Sequence, residues 1–219
     1  MIIAIDGPAG SGKSSTAKEI AKQLNWLHLD TGAMYRAITF YFIQNEIEYS
    51  EGKDYSEVLT LINIEFISEA IQKVFLNKID RTKEIRSTEV TQFVSTISTI
   101  PEIRRFCVKM QRKIATNSYI VIEGRDIGTK VFPNAEVKIF LTASVEERAK
   151  RRFKELESNN SISFEQLVKD IKARDSKDSN RKISPLTIAK DATVIDTSGM
   201  DFNQQLTKIR KHIENFISI

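Results

Sequence analysis

Apolar and polar positions along this chain fall into blocks that read alternately as strand and helix. Ile2-Ile3-Ala4-Ile5 has the length of a short buried strand, and the apolar residues Ala17, Ile20, Ala21 and Leu24 that follow have the spacing of a helix with one buried face. Trp26-Leu27-His28-Leu29 predicts a second strand and residues 33–42 a second helix. Later strands are expected at Ile120-Val121-Ile122, 137–141 and 192–196, and helices at Thr88–Ile97, Pro101–Ala115, 164–181 and 202–217. Pro101 suits a first helical position. Ser144-Val145-Glu146-Glu147 has the form of a capping box opening a further helix, and Ser163 stands near the start of the 164–181 helix. Ser184-Pro185-Leu186 closes that long helix, because proline biases its predecessor away from helical geometry.

The alternation breaks between about residues 50 and 86. Glu65-Phe66-Ile67 and Lys73-Val74-Phe75-Leu76, separated by Ser68-Glu69-Ala70, predict a small hairpin set into the strand–helix pattern. No repeat, low-complexity tract or Pro/Gly-rich linker divides the chain. The expected architecture is one α/β domain over residues 1–219, a parallel sheet flanked by helices, with an inserted substrate-covering segment at about 50–97 and a helical lid at about 148–182.

One stretch organises the rest. Gly7-Pro8-Ala9-Gly10-Ser11-Gly12-Lys13-Ser14 fits G-x-x-x-x-G-K-[ST] between a predicted strand and a predicted helix, the context in which that pattern has a mechanism. Glycines let the backbone N–H groups curl around phosphate oxygens, and the N-terminus of the following helix adds unpaired N–H groups and a positive dipole end. Residues Gly7 to Ser14 with Ser15 are therefore candidates to bind a nucleoside triphosphate. Lys13 is placed to reach the outer phosphates and Ser14 to hold Mg²⁺, the metal cofactor expected here. Glu123 ends a predicted apolar strand, where an acid can orient Mg²⁺ through water or be structural; the sequence leaves both open. Asp30-Thr31-Gly32 at a strand end and helix start offers a second place for an anion, with helix capping by Asp30 or Thr31 as the alternative.

Charge sharpens this picture. The chain carries a formal +4, with an isoelectric point of about 9.0. Arginines recur singly, as in Tyr35-Arg36, Gly124-Arg125-Asp126 and Ala173-Arg174-Asp175, without the interleaved aromatics of a nucleic-acid groove. Phosphate-bearing small substrates are expected rather than nucleic acid. Arg174, Asp178 and Arg181, at i, i+4 and i+7, would line one helical face, either as a surface ion-pair ladder or as a site for phosphates and a sugar hydroxyl. The basic run Arg148, Arg151, Arg152 could be a solvated face or cations that close over a triphosphate. Cys107, the single cysteine, between Phe106 and Val108, is expected to be a buried structural thiol, and His28 and His212 carry no metal-ligand spacing. With no leader pattern and no apolar stretch long enough to span a bilayer, a cytoplasmic protein without membrane contact is expected.

Taken together, the chain resembles the bacterial cytidylate kinases over essentially its whole length. The matching stretches are Ile3-Ala4-Ile5-Asp6-Gly7-Pro8, Asp30-Thr31-Gly32-Ala33-Met34-Tyr35-Arg36, Gly124-Arg125-Asp126-Ile127-Gly128-Thr129, Ala173-Arg174-Asp175 with Asp178 and Arg181, and Ser184-Pro185-Leu186. The resemblance implies transfer of the γ-phosphoryl group of ATP to CMP or dCMP; a monomer is expected, although the sequence does not fix the oligomeric state. The resemblance places Thr31, Arg36 and Arg125 on the monophosphate, Arg174 and Asp178 near the sugar, and Arg181 near the transferred phosphoryl, so that Lys13, Arg174 and Arg181 form the catalytic set. Ser95 and Arg104 with Asp126 would recognise cytosine, and Arg86 would close on the monophosphate. Glu123 stands where many relatives have aspartate, and residues 52–83 match only loosely. Competing readings are a kinase for AMP, UMP, shikimate or gluconate, and a nucleotide-operated switch. For the latter, Asn77-Lys78-Ile79-Asp80 matches the Asn-Lys-x-Asp guanine-reading letters but falls in the predicted hairpin, where it is expected to be a turn.

Overall fold

A computed structural model describes residues 1–50, 52–67, 72–156 and 163–216. Ser68-Glu69-Ala70 of the predicted hairpin lies outside the described residues. In chain order the elements are β1 (Ile2–Asp6), α1 (Lys13–Leu24), β2 (Leu27–Asp30), α2 (Thr31–Gln44), α3 (Ser56–Thr60), β3 (Ile64–Ile67), β4 (Lys73–Leu76) and β5 (Ile79–Asp80). There follow a 3-10 turn (Glu84–Arg86), α4 (Thr88–Ile97), α5 (Pro101–Ala115), β6 (Ile120–Gly124), a π-helical turn (Ile127–Val131), β7 (Val137–Thr142), α6 (Val145–Leu156), α7 (Phe164–Asn180), β8 (Thr193–Asp196) and α8 (Phe202–Glu214). Periodicity places the long elements within two residues at each end, except that α8 stops three residues before the expected 217, and α3, β5 and the two turns are too short to carry a period.

The chain forms two compact units, Met1–Leu29 with Asn117–Ile219, and Asp30–Thr116. The first is built on a five-stranded sheet of order β2-β6-β1-β7-β8. Its centre is β1, paired in parallel with β6 and β7, so that Asp6 is level with Gly124 and with Phe140. The loops after β1 and β6 therefore leave the sheet side by side at its carboxyl edge, where open α/β sheets bind ligands. The core packs Ile3, Ile5, Val121, Val137, Ile139, Leu141 and Ile195 against Ala17, Ile20 and Ala21 of α1 and Ile209 and Ile213 of α8. Strands buried on both faces read as continuous apolar runs rather than alternating ones, which explains why β1, β6 and β7 stand out in the sequence.

The second unit combines α2, α4 and α5 with a three-stranded antiparallel sheet of order β3-β4-β5. Asn77 and Lys78 form the two-residue turn between β4 and β5, with φ of 49° and 69°. Two positive φ values suit a tight hairpin turn with the right strand twist. The Asn77 side chain is occupied there: its Oδ1 accepts from Asn63 N at 2.8 Å and its Nδ2 donates to the Leu61 carbonyl at 3.0 Å. This is the turn expected of Asn77-Lys78-Ile79-Asp80, not a base-reading strand end. Helix starts are capped by side chains: Asp30 accepts from Ala33 N, Ser87 from Val90 N, Ser144 from Glu147 N and Ser163 from Gln166 N. Cys107 is a buried thiol outside any disulfide.

Candidate active site

The phosphate loop begins where β1 ends. Asp6 is buried, and its two carboxylate oxygens accept from Ile127 N at 2.8 Å and Gly128 N at 2.7 Å, which ties the end of β1 to the loop after β6. Burial raises its pKa to about 6 in spite of those two hydrogen bonds. Gly7 follows at φ 149°, and a Cβ there would lie 2.0 Å from the Leu141 carbonyl oxygen, so the chain can leave β1 in this direction only through glycine. The loop ends at Gly12, which caps α1 without a side chain. The first N–H groups of α1 are thus left for an anion. Lys13 Nζ donates to the Pro8 carbonyl at 2.6 Å and to Ser11 Oγ at 3.4 Å. Its ammonium is held well below the usual lysine range, first by burial and then by the nearby Arg125 charge, with Arg174 acting in the same sense against Glu123 and Asp6. The surroundings of Lys13 are cationic beyond what its own acids balance, a condition that a polyphosphate relieves.

Beside the loop, Ser14 Oγ donates to Glu123 Oε2 at 2.6 Å, while Glu123 Oε1 faces His28 Nε2 at 3.2 Å. A hydroxyl and a carboxylate side by side are the hard oxygen donors that Mg²⁺ takes, and Mg²⁺ completes its shell with water and nucleotide phosphates. Among the described residues no group of three or more His, Cys, Asp or Glu could hold a metal ion.

The third part is the face of α7. Arg125 Nε donates to Asp178 Oδ2 at 2.9 Å, and Arg181 Nη2 lies 3.6 Å from Asp126 Oδ1. Burial alone would push the Asp178 carboxyl up, but Arg125 by charge and hydrogen bond, with Arg174 and Arg181, holds it below its ordinary 3.8. A surface ladder is therefore excluded: Asp178 is buried among cations. Arg181 departs from the expected helical face. The helix stops at Asn180 and Arg181 is an extended cap (ψ 140°), with its Nε donating to the Ser184 carbonyl. Ser184, at φ 51°, accommodates Pro185 in the turn beyond rather than within the helix.

Contacts that the sequence reading did not foresee join these parts. Arg148 and Asp175 form a two-pronged ion pair at 3.1 and 2.6 Å, and Gln205 of α8 donates to Thr16 Oγ1 of α1. Of the basic run on α6, Arg151 donates to the Thr197 carbonyl and hydroxyl, and Arg152 pairs with Glu155 at the surface. The pairings of His28, Asp6, Arg148 and Asp175 carry no local signal, because each joins residues at least 27 positions apart in sequence.

In the second unit, Asp30 caps α2 through Oδ1, while Oδ2 accepts from Arg36 at 2.7 Å and from Arg86 at 3.3 Å. Thr31 is buried at the first turn of α2. Gln72 Oε1 accepts from Asp30 N at 3.3 Å. Arg104 is buried, donates to the Ser98 carbonyl at 3.3 Å and lies 5.7 Å from the Tyr35 ring centre. Ser98 in turn donates to the Ser95 carbonyl at 2.9 Å, which links Ser95 and Arg104 through one turn of chain.

A parallel sheet with a glycine loop and its lysine, flanked by an arginine cluster, defines a nucleotide-binding protein of the P-loop class. In fold the chain is similar to a shikimate kinase from Bacteroides thetaiotaomicron, at a TM-score of 0.50 with 13% identity, covering 100% of this chain and 99% of that one. The chain belongs to the cytidylate kinase family, which it matches over residues 3–215. It is 49% identical over 218 residues to the cytidylate kinase of Leuconostoc mesenteroides subsp. mesenteroides, covering 99% of this chain and 97% of that protein. It is also 53% identical over 212 residues to the bifunctional pantoate ligase/cytidylate kinase of Prochlorococcus marinus subsp. pastoris, where the match takes 95% of this chain and 42% of that longer protein's length. Among the described residues no helix is long and apolar enough to cross a membrane.

Proposed function

We propose that this member of the cytidylate kinase family transfers the γ-phosphoryl group of ATP to the phosphate of CMP or dCMP, giving ADP and the diphosphate. The observation that carries the reading is the cation cluster at the phosphate loop: Lys13 held by the Pro8 carbonyl at 2.6 Å, with Arg125, fixed by the buried Asp178, and Arg174 close enough to add to the lowering of the Lys13 ammonium that burial begins. A hydroxyl acceptor would add no charge to neutralise. An acceptor that is itself a phosphate brings the negative charge that such a cluster calls for.

Phosphoryl transfer spreads negative charge over the transferred group, so catalysis is chiefly positioning and electrostatic stabilisation, and no protein nucleophile is needed. The loop from Gly7 to Ser15 holds ATP by its N–H groups. Lys13, Arg174 and Arg181 balance the charge of the transferred group, and Arg125, anchored by Asp178, bears on the acceptor phosphate. Ser14 directly, and Glu123 through water, would hold Mg²⁺, which when bound neutralises the outer phosphates. In the unit Asp30–Thr116, Thr31, Arg36 and Arg86 take the monophosphate, and Ser95 and Arg104 read the base. Cytosine offers an amino donor and a ring-nitrogen acceptor, so a carboxylate can accept from one and a guanidinium such as that of Arg104 donate to the other. Uracil inverts both groups and leaves buried polar atoms unmatched, which can discriminate by roughly 10⁴-fold.

The test is ADP release from ATP and Mg²⁺ with CMP, dCMP, UMP, AMP, shikimate or no acceptor in parallel. Turnover confined to the cytidine pair is expected. Release without acceptor, or equal release with all of them, overturns the reading.

A further inference from the structure

Arg148 is the cation of the basic run for which the sequence allowed two roles, a solvated face or a contact to triphosphate, and its surroundings fit neither. It lies 3% exposed. Its guanidinium donates through Nε to the Ala143 carbonyl at 3.0 Å and through Nη1 to the Ala9 carbonyl at 3.0 Å, and grips both oxygens of Asp175. Its charge is thus balanced by a protein carboxylate, in the planar two-pronged geometry that arginine provides and lysine does not.

What it holds is informative. A loop that cradles phosphates must turn its N–H groups inward and its carbonyls away, since a carbonyl facing a phosphate repels it. Two successive loop carbonyls are each taken by a cation, Pro8 by Lys13 at 2.6 Å and Ala9 by Arg148 at 3.0 Å. Gly10 follows at φ 75°, with the position of a Cβ there 3.2 Å from Arg148 Cβ, so the arginine stem also floors the loop. The other end of the fork, Asp175, is the residue after Arg174 on α7 and one turn before Asp178. We propose that Arg148 and Asp175 are a positioning pair for phosphoryl transfer: together they set the carbonyl orientation of the phosphate loop and lock to it the turn of α7 that carries Arg174. The inference rests on the kinase reading above and adds to it two residues that touch neither substrate.

The experiment compares wild type with Arg148→Lys, Asp175→Asn and the double variant. It reads kcat and KM for ATP and for CMP, equilibrium binding of a fluorescent ATP analogue, and the thermal midpoint. Because small misplacements of reacting groups are costly, Arg148→Lys is expected to lose on the order of 30-fold in kcat and Asp175→Asn about 10-fold, with KM for CMP within about twofold of wild type. The double variant should fall within about threefold of Arg148→Lys, since both changes break one fork. Analogue affinity should fall about 10-fold in Arg148→Lys, where the Ala9 carbonyl loses its partner. Losses that multiply, or singles within twofold of wild type in kcat, overturn the proposal. So does a lowered midpoint with unchanged kcat, the signature of a purely structural pair. If Arg148→Lys does not fold, Asp175→Asn alone decides by the same kcat and KM criteria. If wild type fails to turn over CMP, the kinase reading falls, while analogue binding still tests the effect of the pair on the loop.

Discussion

The two compact units hold their cations in different ways. In the first, the cations of the site are held by groups already in place: Arg125 by the buried Asp178 and Arg148 by Asp175, both brought from far along the chain, and Lys13 by a carbonyl of its own loop at 2.6 Å. In the unit Asp30–Thr116, Arg36 and Arg86 lean on the same oxygen of one carboxylate, Asp30, and the Arg86 side chain is 54% exposed. The first arrangement is prebuilt, with desolvation already overcome by folding. The second keeps an exposed charge in reach of solvent, where an incoming phosphate, with more charge and more oxygens than a carboxylate, could compete for it. Transfer machinery that must not rearrange during the reaction suits the first design, and substrate capture suits the second.

The largest expected effect breaks the prebuilt side at its centre. Lys13→Ala should lower kcat by on the order of 10³-fold or more, because it removes a desolvated cation where charge develops. A coupled ADP-release assay with CMP checks this, and a loss below tenfold would refute the central place given to Lys13.

Next in size is the cost of burying Asp6. Its folded pKa of about 6 lies above the ordinary 3.8. Below pH 3.8 both folded and unfolded chains keep the proton. Between the two values the unfolded chain releases it first, so the contribution of Asp6 to stability falls as pH rises and is lost above about 6. At about 1.4 kcal/mol per unit, the whole difference amounts to about 3 kcal/mol, most of which falls between pH 4 and pH 7. Denaturant unfolding of wild type and Asp6→Asn at both pH values reads it as a pH slope present in the first and absent in the second. Parallel slopes would mean that Asp6 is ionised at an ordinary pKa.

These two residues also mark where sequence reasoning succeeds and stops. Lys13 is legible because loop, strand and helix signals are contiguous, and the same holds for the sheet strands, whose burial on both faces prints continuous apolar runs. Asp6 is one residue from the loop, yet its role depends on Ile127 and Gly128, 121 and 122 positions away. Arg148 reads in sequence as one cation among several on α6; only its burial and its contacts with Ala9 and Asp175 separate it from Arg152. Arg181 was legible as a participant but not as a helix cap, since helix ends depend on local hydrogen bonds such as that to Ser184. Local signals carry elements and motifs, and long-range pairing carries the electrostatics.

Third comes Asp178→Asn, which leaves Arg125 without the carboxylate that fixes it and removes a buried negative charge from among Arg125, Arg174 and Arg181. A loss in kcat/KM for CMP of about 10²-fold is expected, in the range for removing one partner of a buried charge pair. Steady-state kinetics across CMP concentrations checks this. A variant within threefold of wild type would show that Arg125 is held well enough by its neighbours, and would remove the main support for calling this side prebuilt.

The smallest effect tests the other side. Arg86 is half exposed and its bond to Asp30 is 3.3 Å long, so its removal should leave stability nearly unchanged, as for other exposed ion pairs. Its charge matters only when a phosphate arrives. Arg86→Ala should therefore raise KM for CMP by about 10-fold with kcat within about threefold, and the penalty should shrink as salt is raised, because exposed charges are screened. Arg86→Lys should recover part of the KM, since a point charge on a flexible stem still meets a phosphate. Kinetics at two salt concentrations separates the possibilities. A fall in kcat with unchanged KM and no salt dependence would place Arg86 among the fixed transfer groups, and would end the distinction between capture and transfer drawn from the two units.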